Sequence, residues 1–297
     1  MKVAVVMSTY NGEKYILEQL ESIRLQTLQP DMVIICDDQS SDSTPEIIRD
    51  YINKYNLSNW FFSINEKNVG WKINFFKLIE KCEADLIFLA DQDDVWNMKK
   101  IEYMIPVFKD ERVNVLVSSF RSQTSNLNID YISKYDGSVF QIPFSEKIMW
   151  VTHPGCAYCI RKQYFDRIKQ WWHDWLPHDS FLFRNAMLDD SLYCINSDLI
   201  IHRIHGHNAS TPSFTQQKEE IEYYKDVLQL LVNRMQAEES IKKSYTGVLI
   251  KCGKWLEIRE HFYKSKSIID FMKLILYIKF YPHFKTYIKE FFIALAK

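Results

Sequence analysis

The first third of the chain is a series of short apolar runs, each closed by a polar cluster. Val3-Ala4-Val5-Val6-Met7, Met32 to Cys36, Trp60 to Ile64 and Leu86-Ile87-Phe88-Leu89-Ala90 are too short for helices and predict strands, the last of the type buried on both faces. Helical spacing fills the gaps. Ile16, Leu17, Leu20, Ile23 and Leu28 recur along one helix that Pro30 closes. Thr44-Pro45-Glu46 opens a second, with Thr44 or Ser43 as cap and proline in the first turn, and Ile73 to Cys82 makes a third. This β-α-β-α-β-α-β order predicts an α/β fold with a mainly parallel sheet and helices on both faces.

Beyond residue 112 the pattern loosens. Val113 to Phe120 reads as a strand and Arg121 to Tyr135 as a polar loop, either a solvated insertion or a wall of a cleft. His153-Pro154-Gly155-Cys156-Ala157 leads into an apolar strand ending at Ile160, and Pro177-His178-Asp179 precedes a helical stretch. Leu199 to Ile201 is a strand that turns into a histidine-rich loop. From Gln216 to Arg234 an amphipathic helix carries Ile221, Tyr224, Leu228 and Leu231 on one face. The expected organisation is a catalytic domain over 1–213, divided near 112 into two halves, and a helical extension over 214–297.

Polar groups collect at one end of the predicted strands. Ser8, Thr9, Tyr10 and Asn11 follow the first, Asp37 and Asp38 the second, and Asp91, Asp93 and Asp94 the fourth. Ligands of open α/β sheets bind at that edge. Three carboxylates in four residues repel one another unless a cation lies between them, and hard ions such as Mg²⁺ or Mn²⁺ prefer oxygen donors. The other reading is an acidic helix N-terminus, with Asn97 onward helical. Neither G-x-G-x-x-G nor G-x-x-x-x-G-K-[ST] occurs, so a glycine-rich phosphate cradle is not expected.

Taken together these segments carry a resemblance. Ser8-Thr9-Tyr10-Asn11-Gly12, Asp37-Asp38-Gln39-Ser40-Ser41-Asp42, Asn68-Val69-Gly70 and Asp91-Gln92-Asp93-Asp94 stand in the order and spacing of the family 2 glycosyltransferases, which have the GT-A fold. Asp179 resembles the catalytic base of the H-D segment in the rhamnosyltransferase-like branch, and Arg203-x-His205-Gly206-x-Asn208 resembles the R-x-H-G-x-N signature. The resemblance implies an inverting, metal-dependent enzyme that uses a nucleotide-sugar donor, dTDP-L-rhamnose in that branch, or a UDP-sugar. It assigns donor binding to Thr9, Tyr10, Asn11, Asp38, Asn68, Gly70, Asp91 and Arg203. The metal, Mn²⁺ or Mg²⁺, falls to Asp93, Asp94 and His205. Asp179 as general base competes with Asp179 as helix cap, and Asp174, Asp189 and Asp190 are rivals. A nucleotidyltransferase or a non-catalytic binding protein on the same fold are the more distant readings.

Composition adds less. The 297 residues, 47% hydrophobic and 25% charged, suit an ordinary globular protein, and a net charge of −1 gives no sign of nucleic-acid binding. No leader or membrane-spanning run is evident, so a cytoplasmic protein is expected, with its six cysteines reduced. Charge is unevenly spread. From Lys242 onward lysines outnumber acids by roughly three to one among aromatic and aliphatic residues, the pattern either of a tail lying on an anionic membrane beside a lipid-linked saccharide acceptor or of a helical cap with a solvated lysine face.

Overall fold

The computed structural model describes residues 1–123, 136–205 and 217–295. Its first half follows the predicted alternation: β1 (Val3–Thr9), α1 (Ile16–Arg24), β2 (Met32–Asp37), α2 (Thr44–Lys54), β3 (Trp60–Ile64), α3 (Trp71–Lys81) and β4 (Leu86–Ala90). There follow β5 (Val95–Trp96), α4 (Lys100–Met104), β6 (Val115–Gln123), β7 (Val139–Gln141), β8 (Tyr158–Arg161), α5 (Lys162–Ile168), α6 (His178–Leu188) and β9 (Leu192–Arg203). The chain then becomes helical, with α7 (Gln217–Ala237), α8 (Thr246–Ser265), α9 (Ile268–Leu274) and α10 (Phe284–Leu295).

Eight strands form one sheet in the order β3-β2-β1-β4-β8-β6-β9-β5, and β7 pairs with β9. Strands β1, β2, β3, β4, β6 and β9 run one way; β5, β7 and β8 run the other. The centre of the sheet is dry: every residue of β4 and of Val3–Met7 is buried, as a strand sandwiched between helix layers requires. Register brings the strand ends together. Thr9 lies beside Asp37, and Met7 beside Ala90, so the segments after β1, β2 and β4 emerge at one edge.

The differences from the pattern reading have local causes. α1 stops at Arg24, short of the exposed Leu28, and beyond it the Gln26 side chain donates to the Ser22 and Asn97 carbonyls at 2.9 and 2.8 Å; Leu17, inside α1, lies on its exposed face. Val95 and Trp96 pair with Ile201 and Ile200, and helix begins only at Lys100. β6 continues through Gln123, so the first three residues of the expected loop are strand, with Arg121 held 2.8 Å from Asp198. Residues 124–135 of that loop, and Gly206, His207 and Asn208 of the histidine-rich one, lie outside the described residues.

The described residues fall into two compact units, one drawn from Met1–Ile142, Thr152–Ala186 and Asp190–Ser210, the other from Pro143–Val151, Met187–Asp189 and Thr211–Lys297. The second has its own core. Trp255, fully buried, stacks on Phe280 and meets Tyr281 edge-on, and buried Arg259 is paired with Glu220 and Glu290. No described helix is long and apolar enough to cross a membrane.

Candidate active site

A cavity of about 820 Å³ opens at the strand-end edge of the first unit. Ser8 lines it from β1 and Tyr10 and Asn11 from the turn after β1, Asp38 from just past β2, Asn68 and Gly70 from the turn before α3, and Asp91 and Asp93 from the segment after β4. Gly155, His178 and Asp179 close it from the second half of the catalytic sequence, with His202 and His205 at the end of β9.

Much of this edge is tied together by the chain's own groups. The Gln92 amide forms a reciprocal pair with the backbone of Tyr10, accepting its N–H at 2.8 Å and donating to its carbonyl at 2.9 Å. That approach leaves no room at Gly12, where a Cβ would lie 2.4 Å from Gln92 Oε1. Asn11, at φ 47°, accepts the Ser41 N–H at 2.9 Å, and asparagine tolerates this left-handed geometry better than most residues. Asp38, almost fully buried, accepts from Asn65 Nδ2 and Val69 N on Oδ1 and from Gly70 N on Oδ2. A carboxylate offers about four lone-pair sites, so three bonds leave it one to spare. Gly70 sits at φ 84°, where only glycine turns freely.

Two predicted donor-binding residues face elsewhere. Side chains alternate along a strand, so Ser8 and Tyr10 point into the cavity while Thr9 points away, its hydroxyl donated to Asp37 at 2.7 Å. Arg203, 6% exposed, is a strut rather than a cavity wall. It donates from its backbone to Asp94 Oδ1 at 2.9 Å, from Nε to the Asp93 carbonyl at 2.8 Å and from its guanidinium to Glu18 at 2.7 Å, with Tyr15 stacked beneath.

The carboxylates separate into two groups. Asp93 Oδ2 lies 2.7 Å from His205 Nε2, and the imidazole stacks on Tyr15. Asp94, fully buried and outside the cavity wall, instead gathers with Asp91 and Cys156, one ligand atom of each lying within 4.8 Å of the others. Desolvation and then repulsion, from Asp94 and Asp93 on Asp91 and from Asp93 on Asp94, push the Asp91 and Asp94 carboxyls above the ordinary carboxylate range. Among the described residues Asp94 Oδ2 has only the weak Cys156 thiol as a neighbouring donor. Burial also raises Cys156, which keeps its proton and is a poor ligand for a hard ion. Two carboxylates short of positive charge fit a divalent cation. Lys100 relieves part of the deficit. Fully buried against the Trp96 ring and donating to the Cys156 carbonyl at 2.6 Å, it is pulled down to about 7 by burial, while Asp94 and Asp91 oppose the fall.

Across the cavity α6 begins at His178, which makes Asp179 a first-turn residue rather than the N-cap. Asp179 accepts the Ser180 N–H at 2.6 Å, and burial lifts its carboxyl to about 6. Of its rivals, Asp189 is paired with Arg234, and Asp190 turns the chain at φ 53°. Among the described residues neither ring nitrogen of His178 has a hydrogen-bond partner, and the ring lies against Phe75 and Trp71; burial lowers it to about 3, so it stays neutral. A neutral imidazole can donate to one hydroxyl and accept from another. Gly155 makes its space, since a Cβ there would meet His178 Nε2 at 2.6 Å.

Gln92, Cys156 and His178 stand in segments read from the sequence but carry no assigned role there, and Lys100 stands in none. Gln92 stood inside the acidic motif between louder neighbours. Cys156 and Lys100 reach the carboxylates only through long-range packing, which no spacing in the chain encodes.

Residues 4–169 match the family model for glycosyl transferase family 2. The chain is 26% identical over 295 residues to the dTDP-rhamnosyl transferase RfbG of Shigella flexneri, covering 92% of this chain and 100% of that one. It is 30% identical over 119 residues to the poly(ribitol-phosphate) beta-N-acetylglucosaminyltransferase TarS of Staphylococcus aureus, covering 39% of this chain and 20% of TarS. Among solved structures, a TarS fragment with UDP-GlcNAc superposes at a TM-score of 0.66 and 18% identity over 99% of this chain and 80% of that one. The Pyrobaculum calidifontis mannosyltransferase PcManGT, with GDP-Man and Mn²⁺, gives 0.57 and 14% over 99% and 86%. With the family model spanning more than half its length and the sheet and strand-end cavity of the GT-A fold, the chain belongs to glycosyl transferase family 2 and is a glycosyltransferase.

Proposed function

We propose that this enzyme transfers a hexose from a nucleoside diphosphate sugar to a hydroxyl of a saccharide acceptor, a precursor of a cell-surface polysaccharide, with inversion at the anomeric carbon. The observation that carries the reading is one cavity with two carboxylate environments. Asp91 and Asp93 line one side and crowd the buried Asp94, where carboxylate repulsion adds to burial, while Asp179 stands across the cavity with its proton affinity raised by burial rather than by a neighbouring carboxylate. Environments that divide carboxylates in this way suit separate charge-binding and base roles.

In this reading Asp38 offers its spare lone pair to the imide N–H of a uracil or thymine. Tyr10, Asn11, Asn68 and Gly70 wall the nucleoside, and Lys14 and His205 face the diphosphate. Asp91 and Asp94 would hold Mn²⁺ or Mg²⁺ with Asp93 beside them, and such an ion supplies Lewis-acid stabilisation to the departing diphosphate. Asp179 removes the acceptor hydroxyl proton as its oxygen attacks the anomeric carbon and the bond to the diphosphate oxygen breaks. Residues 1–112 bind the donor and 113–213 the acceptor, a division supported by Gly155, His178 and Asp179 facing the strand-end carboxylates.

The donor we favour is dTDP-L-rhamnose, on the similarity to RfbG along nearly the whole chain. A UDP-sugar is the second reading, supported by the likeness to TarS, whose solved complex holds UDP-GlcNAc. Calorimetric titration of dTDP and UDP, each with Mn²⁺, with Mg²⁺ and with EDTA, tests both. Metal-dependent binding with dTDP preferred supports the rhamnosyl donor; a UDP preference moves the donor to the second reading. Failure of both nucleotides under every condition removes the nucleotide-sugar proposal.

A further inference from the structure

The second unit leaves a large amount of apolar surface in water. Ile269 and Met272 on α9, Leu276 in the 3-10 turn that follows, and Phe284, Ile288 and Phe292 on α10 are all exposed, Leu276 to 81%. Scattered exposed apolar residues are ordinary. These are not scattered: Phe284, Ile288 and Phe292 stand four apart, so they form one stripe on α10, while Tyr287, Glu290 and Ala294 bury its other face. The two helices are fixed to each other by Phe271, which stacks on Tyr287 at 4.5 Å and meets Phe291 at 4.7 Å. The exposed face is therefore held on a rigid base.

Charge is sorted across the same segment. Between residues 266 and 295 the acids are Asp270 and Glu290, and both are buried. Asp270 takes Lys273 at 2.9 Å and His261 at 2.6 Å; Glu290 takes Arg259 Nε at 2.6 Å and the Tyr281 hydroxyl. Lys266, Lys273, Lys279, Lys285 and Lys289 remain exposed. On α10, Lys285 and Lys289 each follow a residue of the apolar stripe, so a cationic edge runs beside it. Outward charge here is cationic, and outward bulk is apolar.

We infer that α9, the turn after it and α10 form a docking face for an anionic lipid bilayer, with the apolar stripe entering the headgroup boundary and the lysines meeting lipid phosphates. A second copy of the chain fits the charge poorly, since pairing this face with itself would bring like-charged lysines together. A solvated lysine face fits the apolar side chains poorly. The inference does not depend on which sugar is transferred, and it stands or falls separately from the donor assignment.

The test is co-sedimentation of the full chain with vesicles of phosphatidylcholine alone and of phosphatidylcholine with phosphatidylglycerol. Binding is expected to the anionic vesicles only and to weaken as salt is raised. Each lysine lost from an anionic surface costs about fivefold in partitioning, so Lys279→Glu, Lys285→Glu and Lys289→Glu together lower it by about a hundredfold or more. Leu276→Glu with Phe292→Glu abolishes it; all these positions are exposed, and an unchanged melting curve establishes that folding is intact. The salt series on the unaltered chain provides the same reading without a variant. No vesicle binding, equal binding to neutral vesicles, or concentration-dependent dimerisation lost in Leu276→Glu without vesicle binding would each overturn the inference.

Discussion

Replacing Asp179 by asparagine should damage transfer and strengthen the fold. Burial raises this carboxyl from its ordinary 3.8 to about 6. Two pH units correspond to on the order of 3 kcal/mol held against the ionised form in the folded state. Between about pH 4 and 6 the folded chain retains a proton that the unfolded chain has released. Stability from this group therefore falls as pH rises through that window, and the whole penalty is present above about pH 6. A neutral amide carries no such penalty, so the Asp179→Asn variant should be more stable near pH 7.5, by up to about 3 kcal/mol, with the difference closing below about pH 4. The proton argument fixes activity too. A base must be ionised, and a group titrating at about 6 is roughly nine-tenths ionised at pH 7 and one-tenth at pH 5, so kcat falls about tenfold between them. Asp179→Asn should lower kcat by about a hundred- to ten-thousandfold and leave nucleotide affinity within about twofold. Denaturant melts of both proteins across pH give the stability arm, and release of nucleoside diphosphate with titration calorimetry gives the other. An asparagine variant that is less stable at neutral pH, or that keeps its turnover, would refute the assignment of Asp179 as a buried base.

Other outcomes follow from particular contacts. Asp93→Ala removes a cavity carboxylate beside the proposed ion site and the partner of His205, and should weaken metal-dependent nucleotide binding by calorimetry while the melting temperature changes little. Gly155→Ala drives a methyl to within 2.6 Å of His178 Nε2, so the imidazole must move; kcat/KM should fall about tenfold or more while nucleotide binding is kept, and an unchanged kcat/KM would mean that His178 is only packing. Arg203→Ala breaks the ties to Glu18 and the Asp93 carbonyl and should cost about 3 kcal/mol in a denaturant melt. Because Arg203 does not line the cavity, nucleotide affinity measured under native conditions should survive.

The parallel half of the fold was legible because doubly covered strands must be apolar without interruption, as Val3–Met7 and Leu86–Ala90 are. Their polar ends marked the site for the same reason, since Asp38 and Asp91 have no place inside the sheet. What the chain pattern hid was direction and distance. Thr9 and Ser8 are equally polar, and only the pleat decides that Ser8 faces the cavity. Arg203 has the composition of a phosphate ligand, yet β9 carries it between Asp93, Asp94 and Glu18, which use its donors. β5 is two residues long and exists only because β9 is there to pair with it, and no periodicity can show so short a strand.

The three bonds that converge on Asp38 also set a tempo. Val69 and Gly70 lie in a turn, where backbone amides ordinarily trade hydrogen for solvent deuterium quickly, but both are pinned to a carboxylate that is 1% exposed. They should exchange as slowly as amides of the sheet. In the proposed reading this is the wall that meets the nucleobase, and because its bonds are made by the chain's own groups, nucleotide capture at this edge should be limited by collision rather than by a loop finding its shape.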